Sequence, residues 1–207
     1  EKEDVLKECR KKNVPVVQVD RQIDDEDTNA VLWEDFRLAY TLAEHVIDKG
    51  HTNVAIENTR LGCSTGQHRL QGYLEAFRSQ GIRIDEENIS ASNFEMQDAY
   101  EHVKSLLEKP KCPTCIICSN NIMVKGSLKA IQEKGLSIPE DISICCFGNI
   151  ETNEYSLTDI TNIQQDTRLM GRKAGELLLS QINEENHCSV KIKLSGKMIE
   201  RSSVRQI

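Results

Sequence analysis

Short β-branched runs alternate with helix-period segments along almost the whole of this chain, the rhythm of parallel strands joined by crossover helices. Val14-Pro15-Val16-Val17-Gln18-Val19 is too brief for a helix and apolar enough for a strand buried on both faces. Over 35–49, Phe36, Ala39, Tyr40, Ala43, Val46 and Ile47 recur at the spacing of one helix face, and Gly50 supplies a left-handed end. A strand over 53–57 follows. Ser64-x-x-Gln67 then reads as a capping box, opening a helix that carries Leu70, Tyr73, Leu74 and Phe77 and ends at Gly81. A weak strand near Ile89 precedes a helix with Ala99, Tyr100, Val103, Leu106 and Leu107, which stops before Pro110. Strands over 114–118 and 142–147 flank a helix over 121–134, and another strand covers 160–163. A helix over 167–183 sets Met170, Ala174, Leu177, Leu178 and Ile182 on one side, and strands over 190–194 and 198–201 close the chain. The fold class is therefore α/β, with parallel sheets flanked by helices on both faces.

The chain opens with a helix over 4–12 feeding directly into the 14–19 strand. A doubly buried strand needs neighbours, so the expectation is a fragment of a longer protein. A net charge of −7 argues against a nucleic-acid surface within these 207 residues, because phosphate binding requires clustered Lys and Arg. No run approaches the ~20 apolar residues of a membrane span, and residues 1–30 hold no signal-peptide stretch. A cytoplasmic setting follows as the expectation, with the eight cysteines reduced. Cys112-Pro-Thr-Cys115-Ile-Ile-Cys118 has ligand-like spacing. On a strand, however, Cys115 and Cys118 point to opposite faces, so they read as small buried hydrophobes and no metal or other cofactor is expected. Asp24-Asp25-Glu26-Asp27 reads as a solvated acidic loop. No hydrolase elbow, P-loop, metalloprotease or dinucleotide motif occurs, and none of the five histidines forms a catalytic pair by spacing, so catalysis is not expected.

In open parallel sheets, ligands bind beyond the carboxyl ends of the strands. The polar groups there are Asp20-Arg21, Cys63-Ser64-Thr65, Ser119-Asn120-Asn121, Gly148-Asn149 and Gln165, with Arg69 able to add a charge-assisted bond. Amides, hydroxyls and carboxylates of this kind suit a hydroxyl-rich ligand. Each also has a local alternative: Ser64 or Thr65, Asn120 or Asn121, and Asp166 can simply cap helices.

Several segments resemble LacI/GalR-type transcription regulators. Val14 to Arg21 is similar to the family's "iPVVxiDR" strand, and Pro113 to Asn121 to its "PTAIxxxND" segment. So are Ala43 to His51 and Arg69-Leu70-Gln71-Gly72-Tyr73. Gly135-Leu136-Ser137-Ile138-Pro139-Glu140-Asp141-Ile142-Ser143-Ile144 is close to "GLxIPEDISV". Ile160 to Gln165 with Met170-Gly171 matches "LTTIxQ…xG", and Ile199 to Ser203 matches "LIxRxS". The resemblance implies an effector-binding core of two Rossmann-like lobes, as in type I periplasmic sugar-binding proteins, the first lobe incomplete. It divides the chain into 1–33 plus 167–194 and 34–166 plus 195–207, with crossovers near 33–34, 164–166 and 194–195. It further implies a homodimer that contacts operator DNA through an N-terminal helix-turn-helix domain absent from these residues. Rival readings are a transporter's sugar-binding protein, or the same sensor joined to another output domain.

By resemblance, Asp20, Cys63, Thr65, Arg69, Asn120 and Gln165 fall where family members contact their effector, typically a sugar or related small molecule; Asn149 joins them from the sheet edge. Arg69 would grip ligand hydroxyls, so that Arg69→Ala abolishes binding without unfolding the chain. Two departures stand out: the family's "GFDD" turn reads Cys146-Phe147-Gly148-Asn149, and "ND" reads Asn120-Asn121. The loss of the carboxylate at Gly148 tells against a standard hexose held in the standard way and leaves room for a more acidic or phosphorylated ligand. Ring stacking would rest on Trp33, Tyr73 and Phe147.

Overall fold

A computed structural model, which describes residues 2–23, 28–93, 95–150, 159–183 and 189–207, sorts the alternating elements into two sheets. The acidic run 24–27, His187 and Cys188 lie outside the described residues. The chain begins with α1 (Lys2–Lys11), β1 (Val17–Val19), β2 (Asn29–Trp33), α2 (Asp35–Asp48), β3 (Val54–Thr59) and α3 (Ser64–Ser79). It continues through β4 (Ile89–Ser92), α4 (Met96–Leu107), β5 (Cys115–Cys118), α5 (Asn121–Glu133) and β6 (Ser143–Phe147). β7 (Thr161–Gln164), α6 (Thr167–Asn183), β8 (Lys191–Leu194) and β9 (Lys197–Ile199) complete the order. The smaller sheet runs β1-β2-β8, all parallel; the larger runs β4-β3-β5-β6-β7-β9, parallel except for β9, which returns antiparallel to β7. The chain passes between the sheets after β2, after β7 and after β8.

Three local expectations differ from the structure. β2 does not emerge from periodicity, because Asn29-Ala30-Val31-Leu32-Trp33 carries no alternation; it is a strand because it is buried between β1 and β8. β1 starts only at Val17, since Pro15 has no N–H to give a ladder and Val14 is exposed. Ile182 is exposed, having turned about 120° away from Met170 over the intervening helical turns.

The larger sheet separates two apolar cores. Cys115, Ile117, Cys145 and Phe147 face the helices α2 and α3, while Ile116, Cys118, Ile144 and Cys146 face α4 and α5. Cys115 and Cys118 thus lie in different cores, as strand alternation requires. Each helix pair crosses at a glycine. A methyl group on Gly72 would stand 2.3 Å from the Phe36 carbonyl oxygen of α2, and one on Gly126 would stand 2.2 Å from the Met96 carbonyl oxygen of α4. These crossings draw α2 and α3 together and thereby set the first turn of α3 beside the sheet edge.

Candidate functional site

Because β3, β5, β6 and β7 are parallel, their carboxyl ends form one edge, where Thr59, Cys118, Phe147 and Gln164 lead into loops. Asn58, fully buried, braces this edge. Its Nδ2 donates to the carbonyls of Thr59 and Gly66, and its Oδ1 accepts from the Ser119 hydroxyl at 2.8 Å. One amide thereby ties β3, the first turn of α3 and the end of β5 together. Neither Asn58 nor Thr59 stands out in the sequence, since an Asn near a strand end carries no pattern of its own.

Arg69 lies across the middle of the edge. Its Nε donates to Asp35 Oδ1 at 2.7 Å, its Nη1 donates to the Ser119 carbonyl at 2.8 Å, and its guanidinium carbon lies 3.9 Å from the Phe147 ring centroid. Arg69 is only 8% exposed and Asp35 only 4%. Burial pushes the Asp35 carboxyl above its ordinary value even though the Arg69 charge and hydrogen bond pull it down. Arg69 is thus a clamp joining α2, α3, β5 and β6, with two of its donor groups already committed. Asp35, in the first turn of α2, is a partner that spacing alone does not reveal.

Cys63, not Ser64, is the N-cap of α3, so the expected capping box does not form. The Ser64 hydroxyl accepts instead from the Gln22 N–H at 3.0 Å, linking α3 to the loop after β1, and Gln67 Nε2 donates to the Leu61 carbonyl. The Cys63 thiol lies 3.5 Å from Thr65 Oγ1 and 3.8 Å from Thr59 Oγ1. Burial raises its pKa, but hydrogen bonds from Thr65, the Gly66 N–H and Thr59, with the Arg21 charge, outweigh this and hold the thiol below its ordinary range. Thr65 is buried beside it. Asp20, at the end of β1, adopts a left-handed φ of 65° and is half-buried, with Arg21 Nε 4.0 Å from its carboxylate. Between the sheets, a cavity of about 260 Å³ is lined by residues including Asp20, Trp33, Phe36, Ser64, His68 and Lys193.

At the end of β5, Asn120 caps α5: its Oδ1 accepts from the N–H groups of Ile122 and Met123, and its buried Nδ2 has no partner among the described residues. Both ends of the Asn149 amide engage the Gln165 backbone. Its Nδ2 donates to the Gln165 carbonyl at 2.8 Å and its Oδ1 accepts from the Gln165 N–H at 2.9 Å, so it holds the Gln165 backbone. Gly148 sits at φ 115°, where a methyl group would meet only Gln165 Oε1, at 3.7 Å. Gln165 Nε2 is buried and likewise unpartnered among the described residues. Asp166 caps α6 by accepting from the Leu169 N–H. The edge thus brings together Cys63, Thr65, Arg69, Asn120 and Gln165 by strand order, while Asp20 approaches from the smaller sheet. Of the rings expected to stack, Tyr73 and Phe147 are fully buried, while Trp33, 4% exposed, lines the cavity between the sheets.

A periplasmic binding protein-like domain model matches residues 43–204. The chain is 31% identical over 193 residues to the HTH-type transcriptional repressor PurR of Pasteurella multocida (strain Pm70), covering 93% of this chain and 58% of that protein. The chain therefore spans less than two thirds of the curated relatives it matches. Among solved structures, a regulatory protein of the LacI family from Chloroflexus aggregans is 27% identical, with a TM-score of 0.85 over 96% of this chain and 71% of that one. A ribose-bound LacI family transcriptional regulator from Enterococcus faecium, 23% identical, shares the fold with a TM-score of 0.87 over 100% of this chain and 77% of its own.

Proposed function

Since the chain belongs to the periplasmic binding protein-like domain family, we propose that it is the effector-sensing core of a LacI/GalR-type transcription regulator. In this reading residues 1–33 plus 167–194 form one lobe and 34–166 plus 195–207 the other. A small molecule, a sugar or derivative, binds between them without being chemically altered. The observation that carries it is the convergence of Cys63, Thr65, Arg69, Asn120 and Gln165 on one strand-end edge, where open parallel sheets bind ligands. In this division the Gln22–Ser64 hydrogen bond would be a contact between the lobes. Bound effector would favour the closed arrangement by its differential affinity for closed over open. In a homodimer that change would alter the spacing of helix-turn-helix domains on operator DNA. The setting would be cytoplasmic; no helix among the described residues is long and apolar enough to cross a membrane.

A thermal-shift screen of the chain with sugars, sugar acids, sugar phosphates and polyols tests this. A binder raises the melting temperature as its concentration exceeds its Kd. Silence across every class, with the protein folded, would sink the sensing role.

A further inference from the structure

The first turns of α3 serve two compartments. Residues four apart on a helix share a face, and sequence neighbours are turned about 100° from one another. Thr65 and Arg69 are one such pair and belong to the strand-end edge. Ser64 and His68 are the next, and they line the cavity of about 260 Å³ between the sheets. Asp35 stands between the two: its Oδ1 accepts from Arg69 Nε at 2.7 Å, and the same residue lines the cavity. Of the candidate ligand residues read from the sequence, only Asp20 reaches this cavity.

The cavity lining suits a hydroxyl-bearing ring. Phe36, at the start of α2, is 43% exposed there and offers an open aromatic face. Hydrogen-bonding groups of both kinds surround it. Glu34 and Asp35 are engaged by Arg37 and Arg69 at 3.5 and 2.7 Å, whereas Arg21 stands 4.0 Å from the half-buried Asp20 carboxylate. His68 and Lys193 are exposed and make no hydrogen bond or ion pair among the described residues. A sugar hydroxyl both donates and accepts, and the apolar face of a sugar ring packs on an aromatic one.

Resting on the sensing function proposed above, we infer that the effector has two ring units joined by a glycosidic bond. One unit lies at the strand-end edge, and the other lies in this cavity against Phe36, its hydroxyls bonded by Asp20, His68 and Lys193. The cavity falls below the roughly 300–1,000 Å³ of a pocket that holds a whole drug-sized ligand, so it takes one unit and not the complete molecule. The two positions adjoin, because Ser64 follows Cys63 and precedes Thr65 and because Asp35 is shared. Asp20 and Lys193 come from the smaller sheet, Phe36 and His68 from the helices α2 and α3. A unit held by all four touches both lobes of the proposed division and adds to the differential affinity that closure requires.

Calorimetric titration of the chain with matched sets tests this: glucose, cellobiose and maltose; galactose, lactose and melibiose; galacturonate and digalacturonate. The expected result is a two-unit ligand that binds about tenfold or more tighter than its one-unit parent. In Phe36→Ala the ratio of two-unit to one-unit affinity should fall about tenfold, toward one. His68→Ala, at an exposed helix position, keeps the fold and should lower the same ratio about threefold. One-unit sugars that bind as tightly as every two-unit partner, or a ratio unmoved in both variants, overturn this inference and leave the sensing function intact. Binding by no member of any set, together with silence in the thermal-shift screen, overturns both.

Discussion

Arg69→Ala tests whether the arginine is structural as well as a ligand-side group. The substitution leaves Asp35 in place, 4% exposed, without the guanidinium 2.7 Å from its oxygen. It also strips the Ser119 carbonyl of its donor and empties the face of Phe147. Removing one partner of a buried ion pair costs about 3–5 kcal/mol, because the other charge stays desolvated. For a domain of this size each kcal/mol shifts the melting temperature by about 2–4 °C, so a fall of about 6–20 °C is expected. The sequence alone suggested a stable, binding-deficient variant; the buried Asp35 carboxylate changes that expectation. Asp35→Asn in the same background should recover part of the loss, since it removes the stranded charge. The pH dependence has a definite sign. A carboxyl whose folded pKa lies above its unfolded one favours the folded state at low pH and loses that contribution as pH rises through the folded value. Taking Arg69 away raises the Asp35 pKa further, so the deficit of Arg69→Ala should shrink in acid. Calorimetric melting of the parent, both single variants and the double variant, at neutral and acid pH, supplies the cycle. An Arg69→Ala chain melting within ~1 °C of the parent, less than a single kcal/mol implies, would refute the clamp.

Two further perturbations follow from the packing. His102 donates to the fully buried Glu57 at 2.6 Å, and although burial lowers its pKa, the Glu57 hydrogen bond and charge raise it above the ordinary histidine value. Its stabilisation is therefore complete below about pH 6.5 and lost as pH climbs through the raised value. Melting curves of His102→Gln should lack that component, and parallel pH profiles for parent and variant would contradict it. Gly72→Ala places a methyl group 2.3 Å from the Phe36 carbonyl, so α2 and α3 must separate, at a cost of about 1–3 kcal/mol. Gly81→Ala, with open space around it but a left-handed φ of 71°, is the control for backbone strain alone. Urea unfolding of the two variants separates crowding from strain.

Much of the fold is legible in the sequence because the helices carry long apolar stripes: α2, α5 and α6 lie within a residue of their expected bounds. β2 is not, because a five-residue buried strand has no alternation to detect and owes its conformation to β1 and β8. The strand-end rule finds Asn120, Gly148 and Gln165, since it depends only on strand direction. It cannot tell a ligand contact from a brace. Asn149 turns out to hold the Gln165 backbone, and Asn58 and Asp35, which set the edge and the clamp, have partners far away in sequence. Ser64 shows the same limit: its motif is that of a cap, yet its hydroxyl is taken by Gln22 from the other sheet's loop.

Cys63 gives direct access to the site. Its half-buried thiol, held below the ordinary cysteine range, lies at the strand-end edge beside Thr59 and Thr65, whereas Cys112 is exposed beyond the end of α4. The alkylation rate of each cysteine by iodoacetamide, read by mass spectrometry with and without the ligand that most raises the melting temperature, localises binding. Selective protection of Cys63, with Cys112 unchanged, is the result predicted for a ligand held at this edge. Equal labelling of Cys63 in the presence and absence of saturating ligand would contradict it.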